Sequence, residues 1–296
     1  MEFSRQSDAQ CMTAGTGVLA TVTSIVTAAG TDTVTCTTDG YGVKLLRHGQ
    51  KVSVYNAART TNRTASGPVK ISKIDLANNA FDIPSVSGIA ATDVILPEGL
   101  TGSTPTGLYG IPYHVDSATT GTWLGLNRAT FPEIVASRVD ANSSSLSLAM
   151  ARLAVNKVGD RVGQDHGFKP VAWMHPCQKQ AYEEIGQLVS IIQKQAKTEN
   201  LNMYFDGMQL AGCPIQTSYL WDKTRIDFLI MELWGRAELR AVGWHTVGGR
   251  KIFELRGSSG GVAASSVSYL ICSWNLFNMN PTAGSYVNEL TKPTGY

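Results

Sequence analysis

One stretch near the middle of the chain constrains the fold more than any other. Residues 142–162 read NSSSLSLAMARLAVNKVGDRV. Asn142 and Ser143 offer side-chain oxygens to the free amides of a first helical turn, and Arg161 followed by Gly163 is typical of a helix end. Apolar residues recur at three- and four-residue spacing along two neighbouring stripes. The pattern predicts a long helix over residues 143–162 with sheet or helix packed on both flanks. The first stripe is Leu146, Met150, Leu153, Ala154 and Val158, and the second is Leu148, Ala151, Val155 and Val162.

Length and charge narrow the classes of protein that remain. A chain of 296 residues suits two domains, or one large domain with an insertion. Its charged fraction of 16% is below the roughly 25% of ordinary soluble domains. This fits a protein that buries surface against copies of itself, and it also fits a secreted β-rich enzyme. A net charge of +2 argues against a dedicated nucleic-acid binder.

The cysteines and the apolar runs bear on location. Five cysteines lie far apart with no CxxC pair, which favours reduced thiols in a cytoplasm over a disulfide framework. No apolar run reaches membrane-spanning length and no signal peptide opens the chain, so we expect no membrane partner. The cysteines are Cys11, Cys36, Cys177, Cys213 and Cys272.

The region before the predicted helix has a different character. Residues 31–99 contain short β-type segments separated by turn residues and no helical pattern of useful length. Such a run predicts a small barrel or sandwich, which we take as a β-rich insertion domain at residues 31–100. The predicted strands are residues 33–37, 51–55, 69–75, 80–83 and 94–96.

The second half of the chain predicts alternating strands and helices. Residues 171–174 are a buried strand, and Pro176 stands in the first turn of a second helix, where its missing N–H costs nothing. A hairpin is predicted around Gly212. The whole chain therefore reads as α+β. Further predicted strands are residues 225–231, 238–242, 251–255, 267–277 and 285–290.

This order of segments resembles the major capsid protein of tailed bacteriophages, which has the HK97-type fold. LYGIPYHVD and GTWLGLNR lead into the long helix, KPVAWMHPCQKQAYEEI is a strand that feeds a helix, and YFDGMQLAGCPI is a hairpin followed by a strand. GWHTVGGRKIFELRG and LICSWNLFNMNPTAGSYVNEL resemble the last strands of that family. The likeness covers residues 107–290 and, more weakly, residues 13–22. Family members carry an N-terminal arm and an extended loop upstream, and we expect this chain to lack the arm.

The resemblance implies a division of the chain and a function. Residues 1–30 would begin the peripheral (P) domain, residues 101–168 would hold its spine helix, residues 169–240 would form the axial (A) domain, and residues 241–296 would close both. It implies a structural shell protein that assembles through pentamers and hexamers into an icosahedral phage head around double-stranded DNA. Expected partners are further copies, possible portal, scaffolding or decoration proteins, and packaged DNA by non-specific contact. The expected location is the virion, after synthesis in the bacterial host cytoplasm.

For each candidate chemical site in the sequence, a structural role explains the residues better than a chemical one. Residues 257–261 match the GxSxG pattern of hydrolases, but no Asp or His follows Ser259. His175 and Cys177 could offer two metal ligands, although a second close pair is missing and His175 suits the start of a helix better. Residues 15–17, GTG, are a fragment of a phosphate loop and read as a tight turn.

Two groups of side chains remain. Four carboxylates, which could suggest acid–base work, are expected to be solvated. Five aromatic residues could stack bases, but core and interface packing explains them more simply. We therefore expect no catalytic, cofactor or metal site and no enzyme activity. The alternatives that stay open are an encapsulin-like nanocompartment shell and, in a different class, a β-rich hydrolase or binding protein. The carboxylates are Asp222, Asp227, Glu232 and Glu238, and the aromatic residues are Trp221, Trp234, Trp244, Trp274 and Phe277.

Overall fold

The structure is a computed structural model in which most of the chain is described. The described residues are 11–12, 16–37, 42–100, 107–163, 170–194, 209–256 and 262–293. Within them the fold is α+β and dominated by sheets. None of the helices in these ranges combines the length and the apolar character needed to cross a membrane.

The first part of the chain folds into a seven-stranded antiparallel sheet with the order β4-β3-β7-β1-β2-β6-β5. Buried residues alternate with half-buried threonines along β2, and the apolar inward residues of the sheet form a core that includes Val34, Val52, Phe81 and Ile95. A short 3-10 turn, Gly42–Leu45, closes one end of this core. The strands are β1 (Ala20–Ala28), β2 (Thr31–Cys36), β3 (Lys51–Tyr55), β4 (Val69–Lys70), β5 (Lys73–Asp75), β6 (Ala80–Pro84) and β7 (Val94–Pro97).

The predicted strands of residues 31–99 are confirmed with small changes. β3 has the predicted bounds, and the segment 69–75 is divided into two short strands. The sheet also contains β1, which the sequence had placed with residues 1–30 outside the insertion. β1 pairs with β2 on one side and with β7 on the other, so it joins the two halves of the sheet.

A helix of 15 residues lies within the predicted range 143–162, but it begins later than predicted. The middle segment contains α1 (Ile111–His114), β8 (Thr122–Trp123), β9 (Leu126–Asn127), β10 (Ser137–Asp140) and α2 (Leu148–Val162). Asn142 and Ser143 have positive φ angles of 48° and 56° and lie in a turn. The Ser147 side chain caps α2 instead, because it accepts a hydrogen bond from the Met150 amide at 3.2 Å. The helix ends at Gly163, as predicted.

The expectation that α2 is packed on both flanks is wrong. Ala151, Ala154 and Val158 are buried against β10, the last strand of the chain and the 3-10 turn Pro281–Ala283. Leu148 and Leu153, one from each predicted stripe, remain 39% and 48% exposed. Small residues on the buried side let the helix lie close to the sheet, while the opposite side meets solvent.

The second half of the chain builds a six-stranded mixed sheet and a separate long ribbon. The sheet has the order β10-β19-β14-β11-β13-β12, so strands from before and after the predicted axial domain complete it. Met174, Phe228 and Val287 lie in the core between this sheet and α2. The elements are β11 (Val171–Met174), α3 (Pro176–Lys194), β12 (Gln209–Leu210), β13 (Cys213–Thr217), β14 (Ile226–Leu229), β15 (Trp234–Trp244), β16 (Phe253–Arg256), β17 (Val262–Val267), β18 (Leu270–Asn278) and β19 (Ser285–Asn288).

Local predictions in this half are confirmed at several points. β11 has the predicted bounds and α3 begins at Pro176. β12 and β13 form the predicted hairpin, with Ala211 and Gly212 both at positive φ. The predicted single strand over residues 267–277 is wrong, because β17 ends at Val267 and β18 begins at Leu270 with a different partner strand.

Candidate assembly surface

The ribbon formed by β15 and β18 is the best candidate in this fold for a surface that contacts another protein chain. Its strands have 11 and 9 residues and pair antiparallel from Trp234 opposite Asn278 to Trp244 opposite Leu270. Neither strand has a second partner strand within the described residues. A two-stranded ribbon leaves two backbone edges open, and isolated ribbons are marginally stable. The stability of the ribbon therefore depends on the residues that pack against its base, the end with Trp234 and Asn278.

The inner half of the ribbon, Trp234–Glu238 with the paired residues 274–278, is anchored to the segment around α1. Trp234 and Leu276 pack against the apolar cluster that contains Ile111 and Val115. The Tyr109 amide donates a 2.9 Å hydrogen bond to the Asn275 Oδ1 atom. Because these contacts come from a different element, they hold the ribbon base in a fixed place.

His114 is the centre of this anchor. The Trp123 Nε1–H group donates to His114 Nδ1 at 3.0 Å. Nδ1 is therefore the acceptor, and the other ring nitrogen, Nε2, carries the proton and donates to the Leu276 carbonyl at 3.1 Å. The ring of Trp234 meets His114 edge-on at 5.5 Å between centroids. One neutral imidazole thus joins the β8–β9 hairpin, α1 and the ribbon.

The environment of His114 keeps this imidazole neutral. The residue is 1% exposed. Its burial, more than the opposing hydrogen bond to Leu276 and the nearby charge of Arg128, sets its pKa, which is lowered from 6.5 to about 4. Arg128 is itself paired with Asp116 and donates to the Tyr113 carbonyl at 3.0 Å. Protonation of Nδ1 would place its N–H group opposite the Nε1–H group of Trp123. This anchor therefore requires a neutral imidazole.

The ladder of the ribbon is interrupted at two places beyond the anchor. The register shifts between Glu238 and Arg240, and again between Arg240 and Gly243. Leu239 is the extra residue at the first shift, and at the second Ala241 and Val242 lie opposite the single residue Cys272. Bulges bend a strand and redirect its side chains. Leu239 is 89% exposed and Val242 is 52% exposed, and most neighbouring residues of β15 are exposed as well.

The outer ribbon, which we define as residues 239–256 and 262–272, carries an unusual number of exposed apolar side chains. Isolated exposed apolar residues are normal, but a series of them on one projecting element marks an interaction site. No charged residue occurs between positions 257 and 288 of the sequence. The exposed residues are Leu239, Val242, Trp244, Val247, Ile252 and Tyr269.

His175 and Cys177 lie at the start of a helix. His175 precedes α3, and its Nδ1 atom accepts the Cys177 amide at 3.1 Å, so the side chain caps the helix as expected from the sequence. Burial lowers the pKa of His175 to about 4, and burial also raises the pKa of the Cys177 thiol. Among the described residues no group of three or more His, Cys, Asp and Glu side chains could hold a metal ion.

The four carboxylates of residues 222–238 do not converge. Asp222, Glu232 and Glu238 are exposed, as expected. The expectation fails for Asp227, which is completely buried on β14. Arg225 donates to it at 2.6 Å and lies 3.9 Å above the Tyr286 ring, and the Trp221 Nε1–H group donates at 3.0 Å. A buried charge needs such partners, so Asp227 ties strands together.

The five aromatic residues do not form one cluster. Trp221 is buried in the core and stacks on Trp173 at 5.5 Å. Trp234, Trp274 and Phe277 lie on the inner ribbon, and Trp244 lies on the outer ribbon with 52% of its surface exposed. Core packing explains Trp221, and anchoring of the ribbon explains Trp234. Arg236 lies over the Trp274 ring at 5.6 Å. An interface best fits Trp244.

Two sequence motifs fall wholly or partly beyond the described residues. The GxSxG match at residues 257–261 lies outside them, and so does Gly15. Gly17, the last residue of the GTG fragment, has a φ of 70° and is buried before β1, a backbone conformation that favours glycine. No GxGxxG or GKS/GKT pattern follows it in the sequence.

Sequence reasoning missed the anchor and the bulges. Nothing in the spacing of His114, Trp123 and Leu276 indicates that they meet, because the contacts join positions up to 162 residues apart. A signal did exist for the outer ribbon. AELRAVGW combines apolar and charged residues without a clean alternation, as expected of a strand without a buried face.

Comparisons with known proteins give a partial structural likeness. No protein-family model matches the chain. No curated protein matches it either. Among solved structures, a chain of the cyanophage A-1(L) capsid asymmetric unit is similar with a TM-score of 0.46 and 11% sequence identity. The similarity covers 66% of this chain and 63% of that chain, so this chain spans less than two thirds of the length of its neighbour. A score of this size does not establish a shared fold family.

Proposed function

We propose that this chain is a structural shell subunit, the major capsid protein of a tailed phage, which self-assembles through pentamers and hexamers around double-stranded DNA. It acts by geometry and not by catalysis. The observation that carries the proposal is the outer ribbon, with its exposed apolar side chains and open edges on an anchored base. In a monomer these apolar side chains would remain exposed to water, which is unfavourable. Contacts between the subunits of a shell would bury them.

The ribbon suits a heterologous contact. Leu239 and Val242 stand at bulges on one element, and the body of the same chain offers different exposed apolar residues, among them Leu148 and Leu153 on α2. A contact between unlike surfaces propagates into rings and closed shells. Full burial of one Leu or Val side chain contributes about 1.5–3 kcal/mol. Several weak contacts of about 4–8 kcal/mol each can still lock a shell when every subunit makes many.

The first test is the assembly state of the purified chain. We expect closed polyhedral shells, or hexamers and pentamers, in negative-stain electron microscopy, with a matching early peak in size-exclusion chromatography. A chain that stays monomeric up to its solubility limit would contradict the proposal. Mass spectrometry of the contents then separates two shells, since nucleic acid indicates a phage head and a cargo enzyme indicates an encapsulin-like compartment.

A matched pair of variants tests the ribbon itself. Leu239→Ser removes the most exposed apolar side chain of the outer ribbon, and we expect it to reduce shell yield without lowering the thermal stability of the subunit. Leu76→Ser is the control, since Leu76 is 69% exposed in a turn of the seven-stranded sheet. Equal shell yields from the two variants would show that the outer ribbon is not the assembly surface.

A further inference from the structure

The second half of β1 is an open sheet edge inside the seven-stranded sheet. β1 pairs with β7 only at Ala20 and Thr21, and a last pair of hydrogen bonds joins Val22 to residues 92 and 93. Beyond that point β1 keeps β2 as its partner as far as Ala28. Within the described residues no strand covers the other side of residues 23–28.

A bulge explains where the edge opens. The register between β1 and β2 shifts between Val22 and Ser24, so Thr23 is the extra residue. A bulge bends its strand and increases the local twist. β1 therefore leaves β7 at Thr23 and projects with Ser24, Val26 and Ala28 exposed, while Ile25 packs toward the core.

This edge lacks the protection that the two outer edges of the seven-stranded sheet carry. Proteins blunt free edges by shortening them or by placing charges and proline on them. β4 has two residues and follows Pro68, and β5 has three residues and carries Lys73 and Asp75. By contrast, residues 23–28 read TSIVTA, and no charged residue lies between positions 9 and 31. An edge of β-branched residues without charge is built for pairing or prone to aggregation.

We propose that residues 23–28 of β1 pair antiparallel with the same strand of a second copy of this chain, so that two seven-stranded sheets join across a two-fold axis. The inference rests on the proposed function, in which the shell supplies the second copy. A two-fold contact is self-complementary, because each edge offers the other an identical row of amides and carbonyls. The two-fold axis passes beside one residue, so with Val26 opposite Val26 the five regular residues 24–28 pair over about 17 Å.

Another copy's ribbon fits this edge less well than β1 does. β18 also has an open, uncharged edge, but its ladder with β15 is broken by two bulges, whereas the ladder of β1 with β2 is regular from Ser24 to Ala28. Regular ladders pair over their whole length. In the two-fold arrangement Ser24, Val26 and Ala28 of both copies share the exposed face of the joined sheet.

The first experiment places a charge on the edge and follows assembly of the full chain. In Val26→Lys, two lysines meet near the axis, and like charges across strands repel. We expect the concentration at half-assembly to rise by about tenfold, with subunit stability unchanged because Val26 is 64% exposed. Two control variants should assemble like the parent. Leu76→Lys adds the same charge at an exposed site of the same sheet, and Val26→Thr keeps the β-branched shape.

The second experiment identifies the occupant by disulfide trapping. Ser24→Cys, Val26→Cys and Ala28→Cys are made singly in a chain with Cys11→Ser and Cys272→Ser, and are oxidised alone and in mixed pairs. Opposite residues of an antiparallel pair lie close enough for a disulfide. If disulfide-linked dimers form only in the combinations that a single two-fold register allows, they support the two-fold contact.

The outcomes separate the two proposals. If no shells form from the parent chain, the proposed function fails. If shells form but Val26→Lys assembles like Leu76→Lys and no pairing cross-links, the edge proposal alone is overturned. Cross-links from β1 only to a cysteine restored at position 272 would assign the edge to the ribbon of another copy and would also overturn the two-fold pairing.

Discussion

At the scale of single residues, His114 should make stability depend on pH. The unfolded chain takes up a proton at this side chain near pH 6.5, whereas the folded chain does so near pH 4. The stability that goes with the neutral ring is thus complete above about pH 6.5 and is lost progressively as the pH falls toward about 4. The loss amounts to about 3 kcal/mol, which urea unfolding at a series of pH values would measure.

Two variants give this prediction its controls. His114→Asn removes the titrating group, so its stability should be lower at neutral pH but should decline less as the pH falls. His175, whose pKa burial also lowers to about 4, keeps its own share of the decline in that variant. His48→Asn, the same substitution at an exposed histidine, is the matched variant for comparison of the two pH profiles. An unchanged slope in His114→Asn would contradict the assignment.

Residue identity alone predicted some of these sites and not others. The role of His175 as a helix cap follows from its place directly before Pro176. Asp227 was expected in solvent, because nothing in its immediate sequence shows that Trp221, Arg225 and Tyr286 enclose it. Local chemistry can be predicted from neighbours in the chain, whereas burial depends on which distant residues pack together.

At the scale of elements, α2 offers a direct test of rigidity. Leu153→Pro removes an interior backbone hydrogen bond and clashes with the preceding turn, so it should cost about 3 kcal/mol or more and abolish shells. Leu153→Ala should cost about 1 kcal/mol or less, since the side chain is 48% exposed and alanine favours helix. Urea unfolding and shell yield measure the two effects.

The comparison of these two variants also separates rigidity from contact. Normal shells from Leu153→Pro would refute a spine role for α2. Poor shells from a stable Leu153→Ala would instead place Leu153 in a subunit contact, which its exposure allows. The first result concerns the role of α2 in the rigidity of the subunit, and the second concerns its role in contacts between subunits.

The elements of this chain were predictable where periodicity is strong and local. β3 and β11 have the predicted bounds because each is a short, mostly apolar run beside turn or cap residues. The start of α2 was misplaced by about five residues, since Asn142, Ser143 and Ser147 are all good caps and only the contacts of the turn with residue 289 decide among them. The ribbon register could not be predicted, because bulges leave little trace in a sequence.

At the scale of the whole molecule, the sheets show how the chain is divided. β1 lies in the middle of the seven-stranded sheet, between the half made by β3, β4 and β7 and the half made by β2, β5 and β6. A division at residue 31 would cut the sheet in two. A division before β1 would keep the sheet and its core together, with the loss of a contact from Leu220.

This topology predicts which fragment folds alone. Residues 16–100 contain all seven strands, so we expect dispersed amide resonances and one cooperative unfolding transition in urea. Residues 31–100 lack the joining strand and should remain largely unfolded, because each remaining three-stranded half exposes its share of the core. If both fragments fold equally well, β1 is not essential to the sheet and the division at residue 31 stands. If neither folds, the sheet depends on the rest of the chain, and the open edge of β1 belongs to a single larger unit that assembles as a whole.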